Sequence, residues 1–109
     1  MSCATLTLNR RSLFEATFIY KDPSGVPIDL TGLVDDAEFI LYDGDFTILV
    51  SSMAENDITA TLAEGRFDLL IPQPDVDLLD FRKARFQFRI RWITKGWQEL
   101  GDGEVILDD

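Results

Sequence analysis

The stretch RFQFRIRW, residues 85 to 92, alternates without interruption between polar or cationic side chains and bulky apolar ones. Successive side chains of a β-strand point to opposite faces of a sheet, so this pattern predicts a long strand with one buried face and one polar face. The side chains expected in the core are Phe86, Phe88, Ile90 and Trp92. Those expected to form one polar stripe on the opposite face are Arg85, Gln87, Arg89 and Arg91.

The rest of the chain reads as short segments of the same period, separated by turn residues. The predicted strands are TLTL (5–8), LFEATFIY (13–20), AEFILY (37–42), FTILVS (46–51), DITATL (57–62), RFDLLI (66–71), ARFQFRIRWI (84–93) and a last one through WQEL and GEVIL (97–107), with Gly101 and Gly103 marking a bend or bulge. Asp43-Gly44-Asp45 and Ala63-Glu64-Gly65 are typical hairpin connections, and Gly65 suits a left-handed conformation. Residues 72–84 predict a crossover with one helical turn that buries Val76, Leu79 or Phe81.

About eight short strands, with no long helix, predict an all-β fold. We favour an antiparallel β-sandwich, with a small barrel as the alternative, because a parallel sheet would need crossover helices. The 109 residues show no internal repeat, low-complexity tract or linker, so we expect a single domain over residues 1–109. Apolar residues make up 46% of the chain, which is enough for a packed core.

Ten basic residues stand against twenty acidic ones, giving a net charge of −10. That charge opposes binding to nucleic acid and to anionic lipid, whose affinity comes largely from Lys and Arg. No apolar run reaches the ~20 residues of a membrane span, and Arg10, Arg11 and Glu15 interrupt any signal peptide. The only cysteine, Cys3, cannot form an internal disulfide. We expect a soluble protein in a reducing compartment, with no nucleic acid and no membrane as partner.

Six of the ten cations lie between Arg82 and Lys95, a segment without any acid. The first explanation is local pairing with carboxylates on neighbouring strands, for which the candidates are Glu15, Asp68, Glu99 and Glu104. The second is a surface that docks onto another, acidic, protein subunit; its candidate residues are Arg85, Arg89, Arg91 and, on the adjoining turn, Trp97. Single-stranded nucleic acid is a third, weaker explanation, because here aromatics and cations alternate onto opposite faces.

The sequence contains few of the residues and motifs that enzymes commonly use, since it has no histidine and no glycine-rich phosphate loop. The DLTG stretch, Asp29 to Gly32, differs from the Asp-Thr-Gly of aspartic proteases by the inserted Leu30, and it favours a loop ordered by side-chain hydrogen bonds. Acidic clusters in the turns could supply oxygen ligands to calcium, but none has the spacing of a calcium loop. We expect no enzyme activity, no catalytic residue, no metal site and no cofactor.

Several segments in order resemble small phage proteins: YKDPSGVPIDLTG, EFILYD, GRFDLLIP, FQFRIRW and GWQELGDGEVIL. Over residues 13–107 the chain is similar in outline to the immunoglobulin-like β-sandwich modules of tail and baseplate components of tailed bacteriophages and prophages, including the N-terminal domain of baseplate upper proteins. The resemblance implies an immunoglobulin-like sandwich and a structural, assembly-type role. It carries no catalytic residues.

The resulting expectation is a phage- or prophage-encoded structural protein of the tail, baseplate or head–tail connection. Its partners would be protein subunits of a phage-like assembly, including further copies of itself in a symmetric oligomer. It would lie in the bacterial cytoplasm during assembly and in the virion afterwards. The alternative is a soluble recognition module that binds a peptide or carbohydrate through aromatics such as Trp97.

Overall fold

The computed structural model describes residues 2–9 and 11–108. In chain order the strands are β1 (Ser2–Asn9), β2 (Phe14–Ile19), β3 (Val34–Asp43), β4 (Phe46–Ser52), β5 (Ile58–Thr61), β6 (Arg66–Ile71), β7 (Lys83–Trp92) and β8 (Gly96–Asp108). A 3-10 turn at Leu62–Glu64 joins β5 to β6, and the short helix α1 (Gln73–Asp77) lies in the crossover from β6 to β7. The described residues thus follow the predicted order of elements.

The strands form two sheets that pack face to face. One has five strands in the order β1-β8-β7-β3-β4, and the other has three in the order β2-β6-β5. The sheets do not close on each other, so the all-β sandwich is confirmed and the barrel alternative is wrong. The predicted hairpins β3–β4 and β5–β6 are both present as antiparallel pairs.

Strand β7 occupies the middle of the larger sheet, and its alternation sets the core. Ala84, Phe86, Phe88 and Ile90 are buried on its inner face. Opposite them, Phe67, Leu69 and Ile71 of β6 are also buried. The ring of Phe18 in β2 stacks on Phe88 with centroids 4.2 Å apart, and Phe67 meets Phe88 edge-on at 5.6 Å. Burying each such side chain stabilises the fold by roughly 1.5–3 kcal/mol.

The crossover after β6 behaves as its sequence predicts. Pro74 lies in the first turn of α1, where a backbone N–H has no hydrogen-bond acceptor within the helix, so the N–H that proline lacks is not needed. The same turn places Val76 in the core. Leu79 is also buried and Phe81 packs partly against the same cluster. Leu78, which lies between Val76 and Leu79 in the sequence, is the most exposed large apolar side chain of the described residues.

The pairing of β1 with β8 differs from the expectation of an antiparallel sandwich. The pair β1–β8 is parallel, with Leu6 opposite Val105 and Leu8 opposite Leu107. These strands lie near the two ends of the chain and are joined by the whole sandwich, so no short hairpin forces them to be antiparallel. WQEL and GEVIL form one strand, as predicted, and the bulge expected near the glycines is confirmed as a register shift that leaves Leu100 without a partner residue on β7.

Gly65 adopts the left-handed conformation predicted for it, with φ 59°. A second constraint acts on it, because a Cβ at this position would lie 2.6 Å from the carbonyl oxygen of Ile28 and 2.8 Å from that of Tyr20. The Gly65 carbonyl also accepts a hydrogen bond of 2.8 Å from the Tyr20 N–H. The loop that follows β2 is therefore held directly against the β5–β6 turn.

Replacing Gly65 by Ala should destabilise the protein more than replacing Gly44 by Ala. Both glycines have φ 59°, but nothing lies within 4 Å of a Cβ on Gly44. The left-handed backbone alone costs an Ala residue about 1–2 kcal/mol, and only Gly65→Ala adds a backbone clash. Urea unfolding of the two variants measures the difference in the free energy of unfolding. Equal decreases in the two variants would show that the loop after β2 shifts at no cost to accommodate the Cβ.

Phe88→Ala should lower the free energy of unfolding by about 3–5 kcal/mol, because removal of the ring would leave a cavity in the core between the two sheets. Phe46→Ala is the matched control: Phe46 is 72% exposed, and its truncation should cost no more than about 0.5 kcal/mol. Equilibrium urea unfolding followed by tryptophan fluorescence provides the measurement. A small loss for Phe88→Ala would contradict the placement of β7 at the centre of the core.

Candidate docking face

The four candidate residues share the outer face of the five-stranded sheet, as the alternation predicts. Arg85, Arg89 and Arg91 point away from the core on β7, and Trp97 lies opposite Arg91 on β8. Trp97 thus belongs to a strand and not to the turn where it was expected. The structure brings Arg89, Arg91 and Trp97 together, whereas Arg85 lies further along β7, beyond Gln87. We call Arg85, Arg89, Arg91 and Trp97 the docking face.

The cations of this face pair with carboxylates on the two neighbouring strands. Arg89 Nε donates to Glu38 Oε1 at 2.8 Å, and Arg89 Nη2 contacts the same oxygen. Arg91 Nε donates to Asp35 Oδ1 at 2.7 Å. Arg85 Nη2 lies 4.0 Å from Asp102 Oδ2. Each side chain is partly solvated, so these pairs contribute little to stability.

Local pairing is therefore present, but mostly with other acids than those expected. Of the four candidates, Glu104 pairs with Lys83 at 3.2 Å, and Glu99 accepts a hydrogen bond of 2.8 Å from Gln87. Asp68 faces Arg66 and the hydroxyl of Thr17 on the smaller sheet. The missed acids are Asp102 on β8 and, on β3, Glu38 and Asp35. Nothing in the local sequence of Glu38 and Asp35 shows that β3 is the neighbour of β7.

The indole ring of Trp97 also contacts the guanidinium groups of Arg89 and Arg91. The guanidinium carbon of Arg89 lies 4.3 Å from the centroid of the indole, and that of Arg91 lies 5.5 Å from it. These distances are within the range of a cation–π interaction. With 38% of its surface exposed, Trp97 still presents a large apolar area to a partner. The result is a mixed aromatic and cationic surface whose side chains contact one another.

The acidic turns have structural roles in the described chain. Asp29 Oδ1 accepts the Thr31 N–H at 2.9 Å, and hydrogen bonds from the Thr31 side chain and backbone lower the pKa of Asp29. This confirms the loop-ordering interpretation of DLTG. Asp22 Oδ1 likewise accepts the N–H groups of Ser24 and Val26. Among residues 2–9 and 11–108, no three potential metal ligands cluster together, and no helix is long and apolar enough to cross a bilayer.

Two grooves were not predicted from the sequence. The larger, of about 710 Å³, opens between the edge strand β2 and strand β8, and it is lined by aromatic residues that include Phe18, Tyr20, Phe86 and Phe88. The smaller, of about 500 Å³, lies between β4 and the α1 crossover. Neither contains Trp97 or the arginines of the docking face.

The fold has a known counterpart. In solved structures the chain is similar to the N-terminal domain of phage TP901-1 ORF48, with a TM-score of 0.57 and 14% sequence identity. The match covers 97% of this chain and 86% of that domain's chain. No protein-family model matches the sequence, and no curated protein matches it. At this identity the likeness establishes a shared β-sandwich fold.

The Asp35–Arg91 pair predicts a dependence on pH. The hydrogen bond from Arg91 lowers the pKa of Asp35 in the folded protein. The stability that the pair contributes is therefore present above the unfolded carboxyl pKa, about 3.9, and is lost as the pH falls through the lower folded value. In Arg91→Gln the pKa of Asp35 should rise, as followed by carboxyl NMR.

The exposed Arg82 provides the matched control for that titration, because it lies outside β7. Arg82→Gln should leave the pKa of Asp35 where it is in the parent protein. A pKa of Asp35 that does not change in Arg91→Gln would rule out the pairing.

Proposed function

We propose that this protein is a structural subunit of a phage or prophage particle, in the tail, the baseplate or the head–tail connection. The observation that carries the proposal is the fold likeness to the N-terminal domain of a phage protein over 97% of this chain. The segments quoted in the sequence analysis point the same way, because in outline they resemble tail and baseplate modules. Its work is to bind neighbouring protein subunits, and it needs no catalysis.

The docking face supplies a physical basis for such binding. Arg and Trp are over-represented where interfaces concentrate their binding energy. Here Arg89 is held between Glu38 and the Trp97 ring, so little further side-chain freedom is lost when a partner arrives. An acidic subunit could compete with Glu38 and Asp35 for the guanidinium groups while covering the exposed part of Trp97. Further copies of this chain, arranged with closed symmetry, would complete the assembly.

The proposal is tested by removing the charges of the docking face. The protein is co-expressed with the products of the neighbouring genes, and its assembly is followed by size-exclusion chromatography with light scattering. Arg89→Gln with Arg91→Gln should abolish the complex, whereas the melting temperature should fall by no more than a few degrees, because exposed pairs contribute little. Trp97→Ala should weaken the same complex.

Arg66→Gln is the matched control, since Arg66 forms a comparable pair with Asp68 on the three-stranded sheet. It should leave assembly intact. A parent protein that remains a monomer at every concentration and joins none of the neighbouring gene products would count against the structural role. If Arg66→Gln also abolished assembly, the loss would not be specific to the docking face, and the assignment of the contact to that face would be wrong.

A second candidate function is a recognition module for a peptide or carbohydrate. The observation in its favour is the aromatic groove between β2 and β8, because rings such as Phe18 and Tyr20 offer the flat apolar surfaces that such ligands stack on. A monomer that binds an oligosaccharide or peptide at this groove, with Tyr20→Ala abolishing binding, would favour this function over assembly.

A further inference from the structure

The smaller groove lies at the free edge of the five-stranded sheet. β4 is the last strand of that sheet, and the groove of about 500 Å³ runs between β4 and the segment around α1. The apolar residues that line it include Phe46, Ile48, Leu78, Leu79 and Phe81. This groove is separate from the docking face, which lies on β7 and β8.

Two large apolar side chains at this groove are mostly exposed to solvent. Leu78 is 81% exposed and Phe46 is 72% exposed, and no other large apolar side chain of the described residues is as exposed. Single exposed apolar residues are ordinary, but two that flank one apolar groove form a continuous patch. Such patches, rimmed by polar groups, are typical of protein-binding sites.

The rim of the groove is acidic. Asp43, Asp75 and Asp80 line it, and no Lys or Arg does so. Asp45 and Asp77 are exposed beside these residues in sequence. Asp75 also acts on a carboxylate outside the groove: the pKa of Asp57 is raised by burial and further by the charges of Glu55 and Asp75. The negative charge of the rim favours a cationic partner.

β4 also offers a backbone edge. Its sequence, FTILVSS, contains none of the Lys or Pro residues with which proteins commonly protect an edge strand. One side of β4 pairs with β3, and no strand of the described chain lies on its other side. An extended segment could pair along this edge and place alternate side chains in the groove.

We propose that this groove binds an extended segment of a different protein, in which bulky apolar side chains are flanked by Lys or Arg. The apolar side chains would pack between Phe46 and Leu78, and the cations would meet the Asp rim. A second copy of this chain fits less well. It carries a net charge of −10, and its Arg66, Lys83, Arg89 and Arg91 already face carboxylates of their own chain. The inference concerns a different surface from the docking face and does not depend on the phage role.

The test is a selection from a displayed library of random short peptides against the full chain. Enriched peptides should combine aromatic or aliphatic residues with Lys or Arg, and their affinity should fall as salt is added. The affinity of the leading peptide is then measured by fluorescence anisotropy. Phe46→Ala with Leu78→Ala should weaken binding about tenfold or more, as expected for removal of central apolar anchors. Asp75→Asn with Asp80→Asn should weaken binding and reduce its dependence on salt.

Ile93→Ala and Glu64→Gln are the matched controls: both side chains are exposed, and neither lines the groove. They should leave affinity unchanged, and thermal melting should show that all variants fold. The proposal is overturned if no peptide is enriched, if the enriched peptides lack basic residues, or if the groove variants bind as tightly as the parent. A parent oligomer that dissociates only in Phe46→Ala with Leu78→Ala would assign the groove to a second copy instead.

Discussion

The alternation along β7 is the constraint on which the rest of the structure depends. A strand with Phe86 and Phe88 on one face must cover that face, and the three-stranded sheet supplies the cover through Phe18 and Phe67. The same geometry sends Arg85, Arg89 and Arg91 to the opposite face, so the core and the candidate docking face arise from one pattern. A shift of β7 by one residue would bury the arginines and expose the rings.

The second organising feature is the uneven distribution of charge. The acidic excess of the chain is locally balanced on the outer face of the larger sheet, where the cations of β7 meet Asp35, Glu38, Asp102 and Glu104. It is not balanced at the groove beside β4, where carboxylates meet exposed apolar groups. The two surfaces therefore differ: one has guanidinium groups around an indole, and the other has an acidic rim around Phe46 and Leu78.

The alternation, the turn residues and the helical turn were readable from the sequence because each depends on neighbours in the chain. Period-two segments placed the strands, the Asp43-Gly44 pair placed a hairpin, and Pro74 with Val76 placed the crossover. The common outer face of Arg85, Arg89 and Arg91 was predictable for the same reason, since residues two apart on one strand share a face. The partners of these residues were not predictable. Which strand lies beside β7 depends on contacts across the whole chain, and so Glu38 and Asp35 were missed.

By itself the sequence determined that the chain forms about eight short strands, and which side chains of β7 point inward. Only the tertiary structure decided that the sheets have five and three strands, that β1 runs parallel to β8, and that Gly65 must admit the carbonyls of Tyr20 and Ile28. The physical reason is that side-chain period is a local property of the backbone. Strand order, sheet edges and the exposure of Phe46 and Leu78 depend on packing between segments far apart in the chain.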